Sequence, residues 1–369
     1  MIYLDYNATT PIDVNVLEAM LPFLKDFYGN PSALYRSGRI AHSAINTARE
    51  QIAALVDAPP SHVVFTSGGT EANHLALASL PRQGRLAIST IEHPSITEPA
   101  IRLKNTGNVL DLIDVDNNGV ITSLAINEVI KNKPNMVSIM LANNETGAIQ
   151  DVASFAQILK EHKVIVHTDA IQALGKIPLS FRQLGVHLMS LSSHKIYGPK
   201  GCGALIFDKS TPITPVLLGG DQEHGFRAGT ENVAAIVGFG KAAELAKNDL
   251  SQRTEHLESL KKLLETDLMT IPNLTIFAQQ ATRLPNTTQL GIPGIDGEML
   301  LMKLDKKGFA VSSGSACASG SENLSPVLGA MKIEESLAKS AIRISLGMHT
   351  TKTDIIEFIK QLKILVNPL

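Results

Sequence analysis

The sequence predicts an α/β protein: a mostly parallel central sheet covered by helices, joined to a smaller α+β domain. Three observations lead there. Short apolar runs recur through the first part of the chain, separated by stretches of helical periodicity. Polar and glycine-containing segments follow several of those runs, which is where open parallel sheets bind ligands. The length of 369 residues also exceeds one domain of roughly 150.

Residues 14–28 predict a helix with Leu17, Met20, Leu21, Leu24 and Phe27 on one face, kinked at Pro22. Residues 39–56 predict a second helix with Ile45, Ile52 and Leu55 on one face. Val63-Val64-Phe65 is a strand, followed by a helix from about Glu71. Further strands fall at Leu86-Ala87-Ile88, Met136 to Leu141, Val164-Ile165-Val166, Leu188 to Leu191 and Ala204 to Phe207. From Glu231 to Leu268 the chain reads as helical, with Leu257, Leu260, Leu264 and Leu268 at helical spacing. A strand at Thr287 to Leu290, a helix from Glu298, a Gly/Ser-rich loop, a strand at Ile342 to Leu346 and a helix from Asp354 complete the smaller domain. The expected division assigns residues 13–250 to a large cofactor-binding domain. Residues 1–12 and 251–369 form the small domain, which carries the Gly/Ser-rich loop.

Composition excludes several function classes. The 33 Lys+Arg nearly balance 35 Asp+Glu, so the basic excess of a nucleic-acid or anionic-membrane binder is missing. Aromatics are 4% with no Trp, which argues against stacking platforms for single strands. No apolar run approaches the ~18 residues of a membrane span. Met1 to Asn7 has neither the basic nor the apolar region of a signal peptide, so a cytoplasmic protein is expected. The two cysteines, Cys202 and Cys317, form no C-x-x-C metal site and no disulfide framework, so each is expected as a thiol and no metal is expected.

Three segments carry chemistry. Thr66-Ser67-Gly68-Gly69-Thr70-Glu71 follows a strand and opens a helix, so its backbone N–H groups can cradle an anion. Taken alone it also fits an ordinary glycine turn with a Thr cap. Asp169 ends a buried strand, where a carboxylate needs a cation or several donors. A protonated pyridine nitrogen serves that need, and so does a helix-capping role. Ser192-Ser193-His194-Lys195 places a lysine where a strand leaves the core, and desolvation there lowers an amine pKa toward imine chemistry. Lys200, in the following Gly/Pro loop, reads as a solvated lysine. Asp after one strand and Lys after the next is the arrangement pyridoxal phosphate needs.

With these pieces in order, the chain resembles the cysteine desulfurases of the class V aminotransferase family, pyridoxal-phosphate enzymes of fold type I. The resemblance also rests on Tyr3 to Pro11, Gly29-Asn30-Pro31, Glu92-His93, Asn143-Asn144-Glu145, Arg227 to Asn232, Ser312 to Cys317 and Ile342 to Ser345. It implies that Lys195 binds the cofactor covalently, that Asp169 pairs with its ring nitrogen and Gln172 with its phenolate oxygen. It implies that His93 stacks on the ring and moves protons. Gly69, Thr70, Ser192 and His194 are implied phosphate ligands, with Thr230 arriving from a second subunit of a homodimer. Asn144 and Arg343 are implied to face the substrate, Arg343 by a bidentate grip on its carboxylate. Read by itself, His93 is a surface histidine before Pro94.

The same resemblance implies that L-cysteine gives L-alanine and a persulfide on Cys317. The sulfur then passes to an acceptor protein, such as an iron–sulfur scaffold or a thiolation enzyme. Cys317 sits in a Ser/Gly-rich, non-apolar segment, whereas Cys202 enters an apolar strand and reads as a packing thiol. Tyr35, Asp221 and His224 depart from the family pattern. The resemblance also leads to the expectation that the extra C-terminal tail by which some relatives dock an iron–sulfur scaffold is lacking here, which leaves the scaffold's identity open. Rival readings are a selenocysteine lyase, a cysteine sulfinate desulfinase or a transaminase. A transaminase needs no thiol. A non-catalytic scaffold of the same fold is expected to lack Lys195 or Asp169, and both are present.

Overall fold

The computed structural model describes residues 1–313 and 324–366. The first part of the chain runs β1 (Ile2–Tyr3), α1 (Val14–Lys25), α2 (Arg36–Leu55), β2 (Val63–Thr66), α3 (Gly69–Leu77), β3 (Arg85–Ser89), α4 (Pro94–Asn105) and β4 (Val109–Ile113). It continues through α5 (Ser123–Lys131), β5 (Met136–Ser138), α6 (Val152–Glu161), β6 (Ile165–Asp169), α7 (Phe181–Leu184), β7 (Leu188–Ser192), β8 (Gly203–Phe207) and α8 (Val233–Asn248). The rest comprises α9 (Leu250–Leu268), β9 (Thr275–Ile276), β10 (Thr287–Gly291), α10 (Gly297–Lys306), β11 (Phe309–Ala310), β12 (Ser312–Ser313), α11 (Pro326–Ala330), α12 (Glu335–Lys339), β13 (Ile342–Ser345) and α13 (Lys352–Val366).

Side chains that accept from the first free N–H groups start many of these helices. Asp13 caps α1, Thr122 α5, Asp151 α6, Asn232 α8 and Asp296 α10. Seven strands form the large sheet in the order β2-β8-β7-β6-β5-β3-β4. The pairings from β7 to β4 are parallel. β8 runs antiparallel to both β7 and β2, so β2 points the same way as the parallel strands. The carboxyl ends of β2, β3, β5, β6 and β7 therefore lie along one edge. A second, antiparallel sheet has the order β12-β13-β10-β9. Its core holds Leu4, Leu257, Leu260, Leu264, Leu268, Ile342, Ile344 and Phe358, so the N-terminal strand packs with the last third of the chain.

Most expected elements are present, with four differences. Leu17, Leu21 and Leu24 of α1 are exposed, and Val16 is the buried one. That apolar face points outward because α1 packs on α8 through its other side. β4 was not foreseen, since it is an edge strand with exposed Val109 and Leu112 and no continuous apolar run. The ladder of β5 stops at Ser138, short of Leu141. The long helix from Glu231 is two helices that meet at Asp249. Among the described residues no helix is long and apolar enough to cross a membrane.

One buried ion pair fastens the helical layer to the sheet. Arg49 of α2 meets Glu223 at 2.7 Å, with side chains 9% and 3% exposed. Glu223 also accepts from the Phe65 amide at 2.9 Å. Removing one partner strands the other charge in the interior. Arg49→Ala is expected to cost about 3–5 kcal/mol in urea unfolding, and a loss below about 1 kcal/mol, the ordinary value of an exposed pair, would contradict this account.

Candidate active site

A cavity of about 490 Å³ opens at the carboxyl edge of the large sheet and is also lined by Arg343 of the small one and by Pro326 and Val327. It gathers Gly69, Thr70, His93, Asn144, Asp169, Gln172, Ser192, His194, Lys195 and Arg343. These residues come from segments far apart in sequence. Each strand ends at the same edge and delivers the polar residues that follow it.

The α3 N-terminus forms one wall. Gly69 starts the helix, and a Cβ there would collide with Ile171 Cδ1, so only glycine fits without displacing that side chain. Glu71 does not face an anion: it accepts from the Ser67 amide and pairs with Arg227 at 2.9 Å. Opposite Gly69, the Ser192 hydroxyl is buried and has no hydrogen-bond partner among the described residues. A buried hydroxyl left open beside a helix N-terminus fits a bound phosphate. His194 lines the same wall and meets Thr9 Oγ1 at 3.1 Å. Burial, then Lys195 and Lys200, pushes its pKa down to about 4, so it is a neutral donor at pH 7.

Asp169 is 4% exposed and accepts from the Ile171 amide at 3.0 Å and from Asn73 Nδ2 at 2.8 Å. It makes no salt bridge among the described residues. A buried carboxylate lining a cavity with no cation of its own fits a protonated ring nitrogen. Asn73 spends its second N–H on Ser95 Oγ at 2.8 Å. The Ser95 hydroxyl then donates to His93 Nδ1 at 2.8 Å, and the Ser95 amide meets the same nitrogen at 3.1 Å. With Nδ1 accepting twice, the His93 proton sits on Nε2. Burial lowers the His93 pKa, with Lys195 adding to the effect and Asp169 opposing it.

Lys195 ends a short helical turn, Ser193–Lys195, directly after β7. Its Nζ donates to the Asn7 and Ala8 carbonyls at 2.6 and 2.7 Å. Gln172 Nε2 donates to the same Asn7 carbonyl at 3.0 Å. Arg343 is 2% exposed on β13. The anion expected beside it is already present in the protein: Nη2 meets Asp5 Oδ1 at 2.7 Å, and Nη1 donates to the Asn144 carbonyl at 3.0 Å. Its Nε is buried without a hydrogen-bond partner among the described residues.

Thr230 is not in this cavity. It lines a separate hollow with Cys202 and Arg227. Cys202 is 2% exposed, and burial pushes its thiol well above the usual range, as its packing role requires. Cys317 lies outside the described residues. Lys200 is exposed, as expected.

Sequence reasoning gave no role to four residues that shape the site. Glu92 lines the cavity and is held by Ser89 at 2.6 Å and the Met140 amide at 2.7 Å. Burial pushes its pKa up to about 8. Glu145 accepts from Ser325 at 2.6 Å, and burial raises it to about 7. Lys176 donates to Asn7 Oδ1 at 2.9 Å and to Gln172 Oε1 at 2.8 Å, and the Asn7 carbonyl accepts from Lys195. Asn7, Glu92 and Glu145 lie inside the quoted motifs, but most of their partners are far away in sequence; Lys176 lies outside those motifs.

The profile of the family described as Aminotransferase class-V matches residues 2–358. The chain is 41% identical over 360 residues to the cysteine desulfurase IscS of Dictyoglomus turgidum, covering 96% of this chain and 91% of that one. A solved NifS-like protein superposes with TM-score 0.93 at 35% identity, covering 100% of both chains. SspA, solved in complex with cysteine, superposes with TM-score 0.83 at 31% identity over 95% of this chain and 100% of that one.

The Glu92 carboxyl gives a pH prediction. Its pKa rises from 4.5 unfolded to about 8 folded, so between those values the folded state holds the extra proton. Its contribution to stability is full below pH 4.5 and is lost as pH rises through about 8. Glu92→Gln should therefore flatten the fall in urea midpoint between pH 5 and pH 8. A wild-type-minus-variant difference that stays constant across that range would show Glu92 ionised throughout.

Proposed function

Because this chain belongs to the class-V aminotransferase family and is a cysteine desulfurase within it, we propose that it takes sulfur from L-cysteine on pyridoxal phosphate and holds it on Cys317. The observation that carries the cofactor reading is one cavity lined by Lys195, by a buried Ser192 hydroxyl with no hydrogen-bond partner among the described residues, and by a buried Asp169 with no salt bridge among them. Gly69, Thr70, Ser192 and His194 would hold the phosphate, Asp169 the ring nitrogen, Gln172 the phenolate oxygen and Lys195 the carbonyl carbon. The group, when bound, supplies an electron sink for the substrate's α-carbon.

The chain's own residues do the rest. Lys195 Nζ takes and returns the α-proton, since it sits at the turn that enters the cavity. His93 Nε2 holds the proton that its Nδ1 partners direct there. Arg343 uses its unpaired Nε edge, and Asn144 its side chain, to orient the substrate carboxylate. The Cys317 thiolate attacks the substrate sulfur. The C–S bond breaks, its electron pair stays with carbon, and a proton completes L-alanine, while the new S–S bond leaves a persulfide. A sulfur-acceptor protein then takes that sulfur.

The reading includes a cytoplasmic homodimer in which Thr230 completes the partner's phosphate site. The exposed α1 face of Leu17, Leu21 and Leu24, with exposed Leu34 and Leu218, supports such an interface. It also keeps residues 13–250 as the cofactor-binding unit, with 1–12 and 251–369 as the second unit.

The test is a visible absorbance spectrum before and after L-cysteine. Wild type should show a cofactor band that changes on addition, and borohydride should fix the cofactor on the Lys195 peptide. Fixation on Lys200 would remove the assignment. Cys317→Ser should keep the spectral response to L-cysteine but release no alanine, and mass spectrometry of wild type should show one added sulfur on Cys317. Arg343→Ala should raise KM about tenfold or more with the cofactor band intact, the loss expected for a charged hydrogen bond. An unchanged KM would leave Arg343 as a structural partner of Asp5.

A further inference from the structure

Among the described residues, one buried lysine has no role in the proposed chemistry. Lys176 is 6% exposed, makes no salt bridge among the described residues and lies one tight turn beyond Gln172. The turn is forced: Gly175 has φ +66°, and a Cβ there would meet Ile196 Cγ2 at 2.7 Å. Thr254 Oγ1 anchors the Lys176 carbonyl at 3.0 Å. The ammonium is therefore delivered beneath the Lys195 turn, where it donates to Gln172 Oε1 at 2.8 Å and to Asn7 Oδ1 at 2.9 Å.

Those two contacts decide how two amides face. An amide side chain can present either end, and the donors around it choose. Lys176 is donor-only, so it must meet the oxygen of Gln172. Gln172 Nε2 is then turned to the Asn7 carbonyl, and among the described residues its second N–H has no acceptor, on a residue that lines the cavity. The same ammonium, with Asn286 Nδ2 at 3.0 Å, fixes Asn7 Oδ1. The Asn7 backbone carbonyl is in turn the acceptor of Lys195.

We propose that Lys176 is a positioning residue for the cofactor site: it locks the Gln172 amide so that a donor, not an acceptor, faces the cofactor's phenolate oxygen. An apolar side chain of similar length would fill the same space at lower desolvation cost, so packing alone does not account for a lysine. The titratable or charged groups around it are Lys195, Arg343 with its partner Asp5, and Tyr6, Tyr197 and Arg253, which share a small hollow with it. Burial first, then Lys195 and Arg343, lowers its own pKa well below the usual lysine value.

This inference rests on the pyridoxal-phosphate reading, and the experiment separates the two. Holoenzyme of wild type, Lys176→Met, Lys176→Arg, Gln172→Ala and the Lys176→Met/Gln172→Ala double variant is titrated with pH while the visible band is followed. Lys176→Met should retain cofactor but raise the band's pH midpoint by about one unit, the effect of one lost hydrogen bond to a charged group. Its kcat should fall about tenfold while KM stays within about threefold. Lys176→Arg, which keeps the donor, should return the midpoint toward wild type. The double variant should shift no further than Gln172→Ala alone. If Lys176→Met does not fold, Gln172→Ala still decides: a wild-type midpoint there overturns the proposal. So does a wild-type midpoint in Lys176→Met, or fully additive shifts in the double variant. Absence of any visible band in wild type would instead refute the cofactor reading.

Discussion

Asn7 joins the two sheets through the site between them, and all of its polar atoms are used. Its amide donates to Ser345 Oγ at 3.0 Å, and its side-chain nitrogen to Thr287 Oγ1 at 2.9 Å and the Asn144 carbonyl at 3.1 Å. Its side-chain oxygen accepts from Lys176 and Asn286, and its backbone oxygen from Lys195 and Gln172. Residues of both sheets thus converge on one residue of the N-terminal segment. A buried network of this kind is specific because any member left unpaired is costly.

Desolvation sets the charge state of the whole region. Burial raises the carboxyls Glu92 and Glu145 and lowers the amine of Lys176 and the imidazoles of His93 and His194. His167, fully buried between Ser138 and Ser190, is lowered to about 3 and stays neutral. Glu92, His194 and His167 are therefore mostly uncharged at pH 7. The Arg343 guanidinium, buried at the cavity, pairs with Asp5. The site's polarity is largely that of hydrogen bonds, and Asp169 accepts two of them with no salt bridge among the described residues.

Placement of these groups follows from strand direction. Asp169 ends β6, Ser192 ends β7, and the α3 N-terminus follows β2. The antiparallel β8 between β2 and β7 brings the α3 cradle beside Ser192, so Gly69 must be small enough for Ile171 and Ser192 to approach. The small sheet contributes Arg343 from β13, whose neighbour in register is Gln289 of β10. The cavity is thus roofed by residues from the last third of the chain.

The sequence by itself determined the fold class, the strand-end location of the chemistry and the residue types of the anion cradle, Asp169 and Lys195. Each depends on local periodicity or on residues close together along the chain. The tertiary structure alone decided that Arg343 has Asp5, that Asn73 and Ser95 link Asp169 to His93, and that Lys176 holds Gln172 and Asn7. It also turned the apolar face of α1 outward and placed Thr230 beside Cys202. Most of these partners lie tens to hundreds of residues apart. A hydrogen bond or a depth of burial depends on how elements pack, and no periodicity within either segment encodes the position of the other.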